Sequence, residues 1–203
     1  PFSLDVEMHF TSWVFSPGHR IRFAVSNAQW PMLWPTPTLM TSSLYLGGED
    51  GTRFLLPVVP AGEERAPLFL PVARSAQLKD YESLETATSS GYGEVETVTR
   101  DMRNGDAMAV ATNASATKYP WGIQSTRERI EHRTSDQHPE STSMSGNFEI
   151  KMELENRVLL LEGESVFSSD LDNFYLKYTR RLSENGKLVR ERSWSRTFAR
   201  DHQ

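Results

Sequence analysis

"NFEIKMELENRVLLLEGESVF", residues 147–167, is the stretch on which the fold class turns. Phe148, Ile150, Met152 and Leu154 recur at every second position, with Glu149, Lys151 and Glu153 between them. Side chains alternate across a strand, so a period of two places an apolar row on one face and a charged row on the other. A second apolar run begins after Asn156, so the chain turns there and comes back.

The same rhythm extends outward in both directions. "NFYLKYTRRL" (173–182) and "KLVRERSWSRTFAR" (187–200) face each other across Glu184, Asn185, Gly186 and Lys187, and Asn-Gly is a strong hairpin signal because both residues tolerate positive φ. Upstream, "GEVETVTR" and "DAMAVATN" flank "DMRNGD", where Asn104-Gly105 predicts another hairpin. "RERIEHRT" (127–134) is so polar that an exposed or edge strand is expected. "SDLDN" (169–173) lacks the glycine and distal glutamate of a calcium loop and is read as a turn. Residues 93–203 are thus expected to be an antiparallel β region.

Nearer the N-terminus, Phe2, Leu4, Val6, Met8 and Phe10 alternate, as do Ile21, Phe23 and Val25 after the Pro17-Gly18 turn. Arg20 and Arg22 lie on the opposite side of that second segment. "SSLYLGG" and "TRFLLPVVP", joined through "GGEDG", complete four expected strands within residues 1–60. Residues 61–92 break the pattern with prolines and a Ser/Thr/Gly cluster; this segment is read as a crossover or linker, with a short helix expected around Ser75 to Leu84.

Composition restricts the chemistry. The 203 residues include no cysteine, which excludes disulfides, thiolate nucleophiles and cysteine-ligated metals. A net charge of -5 with mixed signs makes nucleic acid an unexpected partner. With no long apolar run and no signal-peptide pattern, a soluble cytoplasmic protein is expected, with no membrane partner. The chain opens on Pro1 directly within an alternating pattern and is read as a segment of a longer protein.

No catalytic motif emerges. "GESVF" is the nearest approach to a GxSxG nucleophile elbow, and Phe167 stands where the second glycine belongs. His132, Asp136 and His138 do not match metal-ligand spacing and are read as a solvated loop, so neither metal nor cofactor is expected. "LGGEDG" lacks the lysine and helix of a phosphate loop, and Asn113-Ala114-Ser115 is a bare glycosylation sequon. "TRRLSENGKLVRERSWSR" is rich in Arg and Lys, but the interleaved Glu184 and Glu191 favour a solvated β-ribbon over an anion site.

"FSPGHRIRFAVSNAQWPMLWPTP", followed by "LYLGG" and "LLPVVP", resembles the C-terminal non-catalytic domain of X-Pro dipeptidyl-peptidase and cocaine-esterase-type (CocE/NonD) serine hydrolases. The likeness is most specific from Phe15 to Pro60, and the tail from Asp172 is similar to the end of longer members. It implies an all-β, antiparallel jelly-roll-like (galactose-binding-like) β-sandwich, whose C-terminal part is residues 1–60, followed by further antiparallel hairpins. It also implies an α/β-hydrolase catalytic domain as partner, with a Ser-His-Asp triad that this chain does not carry. The chain alone is therefore expected to be inactive, and a homo-oligomer is left open.

Trp30, Pro31, Trp34 and Pro35 are the candidate site, as a domain contact or a wall of the substrate cleft. A buried indole removes roughly 150–250 Å² from water, on the order of several kcal/mol at about 25 cal/mol/Å². Prolines lower the entropy lost when such a loop is held against a surface. Both indoles plugging the domain's own core is an equally weighted reading. A free-standing carbohydrate-binding module, with the two tryptophans as its platform, is the alternative function.

Overall fold

The computed structural model describes residues 3–9, 13–49, 51–60, 62, 68–73, 79–84 and 94–201. The described chain is all-β and antiparallel, as the alternation predicts. Its strands are β1 (Glu82–Ser83), β2 (Glu94–Arg100), β3 (Asp106–Tyr119), β4 (Gly122–Ser135), β5 (Ser143–Leu154), β6 (Arg157–Ser169), β7 (Asn173–Glu184) and β8 (Lys187–Ala199). They form one eight-stranded sheet in which β3 to β8 follow in chain order, while β1 and β2 occupy successive stretches of the same edge of β3.

Short connections hold this meander in register. Glu184 pairs with Lys187, and the two residues between them, Asn185 (φ 49°) and Gly186 (φ 77°), have the double positive φ of the turn that matches strand twist. Asn185 also continues the β6 edge: its N–H donates to the Val158 carbonyl and its Oδ1 accepts from Val158 N–H, both at 2.8 Å. At the β2–β3 hairpin Gly105 has φ 72°. The two expected Asn-Gly hairpins are thus both present.

Following directly opposed residues across the ladders sorts the side chains into two faces. One carries Ile130, His132, Met144, Phe148, Ile150, Leu161, Phe167, Phe174, Leu176 and Tyr178. The other carries Arg127, Arg129, Glu131, Arg133, Glu149, Lys151, Glu162, Glu164 and Arg181. On the polar face, Glu131 accepts from both Arg129 and Arg133, which hold its carboxyl below the ordinary value, and Arg181 bridges Glu164 and Glu191.

Three expectations are corrected. "RERIEHRT" is not an edge: it belongs to β4, paired on one side with β3 and on the other with β5. Its arginines are exposed on the polar face, where Arg129 and Arg133 pair with the more enclosed Glu131, while Ile130 and His132 point to the apolar one. The helix expected around Ser75 to Leu84 falls partly outside the described residues, and residues 79–84 form a turn leading into β1.

The third correction concerns the four strands expected within residues 1–60: among the described residues no strand precedes Glu82, and only an isolated bridge, Gln29 with Leu33, forms there. Phe2 and Phe10 of the first alternating run lie outside the described residues. The other segments fold back on one another in places: Thr52 N–H donates to the Tyr45 carbonyl at 2.7 Å, and the Phe23 and Phe54 rings lie 5.1 Å apart. A strand needs a continuous ladder of lateral partners for its backbone groups, and among the described residues these runs make only isolated contacts. No helix among the described residues is long and apolar enough to cross a membrane.

Candidate functional site: the Trp–Pro loop and its Arg200 clamp

The loop after Val25 leaves the N-terminal segments and lands on the apolar face of the sheet. A tight turn, closed by Leu33 N–H donating to the Gln29 carbonyl at 2.9 Å, throws Trp30 and Trp34 to the same side; the Trp30–Pro31 peptide is cis. The Trp34 ring sits 5.0 Å from Phe167 and 6.1 Å from Phe174, which stack on each other at 5.5 Å. Phe167 and Phe174 come from β6 and β7, so Trp34 spans two strands. Trp30 meets the edge of His132 on β4, with ring centroids 6.4 Å apart.

All four candidate residues, Trp30, Pro31, Trp34 and Pro35, are half-buried, and Pro37 beyond them is buried. The indoles therefore pack against this chain's own sheet. At the tip of the turn the situation reverses, because Met32 and Leu33 are 75% and 62% exposed. Sequence reading overlooked these two because the tryptophans and prolines dominate the motif; the signal was their position inside a turn whose flanking residues anchor it.

Arg200, which no sequence pattern singled out, locks the loop in place. It is 4% exposed and collects three separate parts of the chain. Its guanidinium donates to the Pro35 carbonyl at 2.9 Å, to the Asp170 carbonyl at 2.9 Å and, more weakly, to the Glu140 carbonyl at 3.5 Å. The guanidinium carbon lies 4.7 Å over the Phe174 ring, a cation–π contact that also covers the cation. Burial pulls its pKa below the usual arginine value, and the carboxylates of Asp170 and Glu140 oppose that shift. A buried cation is tolerated only with such partners.

The loops around Arg200 are braced by their own side chains. Asp170 Oδ1 accepts from the N–H groups of Asp172 and Asn173, and its Oδ2 accepts the Tyr175 hydroxyl at 2.6 Å. The Tyr175 hydroxyl and the two N–H groups hold the Asp170 carboxyl below the ordinary value, and the bond to that carboxylate in turn raises the pKa of the Tyr175 hydroxyl. "SDLDN" is thus the turn it was expected to be. Thr142, fully buried, donates to the Pro139 carbonyl at 3.0 Å and meets the Thr134 hydroxyl at 2.8 Å, while Ser169 donates to the Glu140 carbonyl at 2.6 Å.

The histidine cluster is dispersed. His132 lies within β4 beneath Trp30, Asp136 pairs with Arg100, and His138 Nδ1 faces Glu140 Oε1 at 3.2 Å. Among the described residues no group of three or more His, Cys, Asp or Glu is placed to hold a metal ion. Burial lowers the His132 pKa and so favours its neutral form. Comparison with protein-family models, with curated proteins and with solved structures returned no match.

Two aromatic anchors and one buried cation fix the loop from below, and two unbranched or γ-branched apolar side chains are offered above.

Proposed function

We propose that the chain is the non-catalytic C-terminal region of a serine hydrolase of the X-Pro dipeptidyl-peptidase and cocaine-esterase type. In this reading it supports an α/β-hydrolase domain and forms part of the wall of its substrate cleft. The observation that carries the proposal is the combination of an anchored loop with exposed apolar side chains at its tip and in the alternating segments of residues 1–60. Met32 and Leu33 point outward from the loop, and the alternating segments leave Leu46, Leu55 and Val58 more than 80% exposed. Large apolar side chains exposed in such number are characteristic of surface that a partner covers.

The catalytic domain would supply the nucleophile, the base and the oxyanion hole of the acyl-transfer reaction. This chain would supply shape: the sheet holds the loop through Arg200, Trp34 and Trp30, and the loop presents Met32 and Leu33 to the domain at a fixed orientation. Half-buried indoles leave little ring face for a sugar, which weighs against the carbohydrate-platform alternative.

Two experiments test the proposal. The coding sequence upstream of Pro1 should contain a frame with a GxSxG elbow; its absence would sink the reading. In the complete enzyme, Met32→Ser with Leu33→Ser should weaken domain docking or turnover while leaving the unfolding midpoint of the isolated chain unchanged. Unaltered kinetics and docking would overturn the assigned role of the loop.

A further inference from the structure

The basic hairpin at the end of the chain has a different character in three dimensions from the one its composition suggests. Glu191, directly opposite Arg181, lies on the polar face and is used up there, with Arg181 Nε donating to it at 2.6 Å. Glu184, at the far end of β7, is within 3.7 Å of Arg157. The apolar face of the same hairpin carries Arg180, Arg190, Arg192 and Arg196, and none of these four has an ion-pair partner among the described residues. The strand period puts Glu191 on the opposite face from these arginines, whereas Glu184, on the same face, is set apart by its place at the end of β7 beside Arg157.

Their arrangement is regular. Arg180 and Arg192 are directly opposed across the β7–β8 ladder, a like-charge pairing that is unfavourable in the absence of an anion. Both lie over the Trp194 ring, at 5.7 and 5.8 Å from its centroid, and Tyr178 stacks on the same ring at 5.3 Å. Arg190, Arg192 and Arg196 are exposed, and β8 is an edge strand whose one described partner is β7. Its outer backbone groups are free to pair with another strand.

We infer that β8 is the docking edge for an extended acidic peptide segment, added antiparallel as a further strand. Residues of an added strand stand directly opposite Arg196, Trp194, Arg192 and Arg190, so the complementary pattern reads acidic-x-apolar-x-acidic-x-acidic. Backbone pairing supplies the affinity, and the alternate carboxylates supply the register. The apolar residue fills the aromatic gap between the cations, over Trp194. This surface is distinct from the Trp–Pro loop and does not rest on the hydrolase reading.

The test uses the full chain and a blocked synthetic peptide, Thr-Glu-Thr-Leu-Thr-Glu-Thr-Glu-Thr, followed by fluorescence anisotropy and by amide hydrogen exchange. Binding should weaken with salt and protect β8 amides from exchange. The triple variant Arg190→Gln, Arg192→Gln, Arg196→Gln should bind roughly tenfold more weakly, the worth of about three exposed ion pairs. Lys177→Gln, on the polar face, should bind as the parent chain does. The proposal fails if the peptide does not bind, or if a peptide of the same composition with its three glutamates adjacent binds equally well. It also fails if the triple variant retains affinity, if β8 gains no protection, or if a thymidine oligonucleotide or phosphatidylserine vesicles bind more tightly, since the surface would then read phosphate.

Discussion

The guanidinium of Arg200 donates to the carbonyl of Pro35 at 2.9 Å, across 165 positions of sequence. This single contact joins the end of the last strand to the Trp–Pro loop, and with the Asp170 and Glu140 carbonyls it ties together three connections at one end of the sheet.

Removing it should free the loop. Arg200→Ala is expected to destabilise the chain by about 3 kcal/mol, because hydrogen bonds from a charged donor are lost and three carbonyls are left without it. Arg200→Lys should recover only part of this, since an ammonium cannot reproduce the planar fork. Urea midpoints measure the stability, and a red shift in tryptophan emission reports release of Trp30 and Trp34; an unshifted spectrum in the alanine variant would contradict the clamp.

Trp34 and Trp30 should differ in weight. Trp34 touches two stacked phenylalanines from neighbouring strands, whereas Trp30 meets the edge of one histidine. Trp34→Ala is expected to cost about 3 kcal/mol and Trp30→Ala distinctly less. Equal losses in denaturant titrations would show that the two anchors are equivalent.

Gly163 tests the packing of the apolar face. It lies directly opposite Phe148, whose ring occupies the space that a Cβ would need. Gly163→Ala should therefore destabilise by about 1–3 kcal/mol through overpacking. Adding Phe148→Leu should make the alanine less costly than it is alone, a coupling that a double-mutant cycle reads directly.

Acid should act in two windows. Burial lowers the His132 pKa below 6.5, so the unfolded chain binds its proton first and stability falls as the pH drops through that value, until the folded form also protonates. The Asp170 carboxyl sits below 3.8 because Tyr175 and two backbone N–H groups donate to it, so its contribution is present above that value and disappears as the pH falls through the folded-state pKa. His132→Phe should flatten the first slope and Asp170→Asn the second, as followed by urea midpoints across pH. A parent chain whose stability is flat around pH 6 would rule out the role of the half-buried His132.

Much of the sheet was legible because its signals are local. Alternation at Phe148, Ile150, Met152 and Leu154 and the Asn-Gly pairs at 104–105 and 185–186 each act over a few residues. "RERIEHRT" was expected to be exposed or an edge: its arginines are exposed, but the strand is central, because β3 and β5 pair with it on both sides, which polarity alone does not reveal. The runs around Ile21 and Leu44 carry the same alternation but form no ladder among the described residues, because periodicity provides a face and not a partner. Trp30 and Trp34 were visible as anchors. Their seat on Phe167, Phe174 and His132 was not, and neither was Arg200, one arginine among many near the C-terminus.

The sequence by itself determined that residues 93–203 are antiparallel β, where their Asn-Gly turns fall, and that strands such as β5 have one apolar and one polar side. These follow from backbone geometry, which fixes the direction of every second side chain without reference to anything distant. Only the tertiary structure decided which arginines are neutralised and which stand open, and that Arg200 reaches back to Pro35. Those outcomes depend on register and on contacts between segments far apart in the chain, where a shift of one residue would have sent every side chain of a strand to the other face.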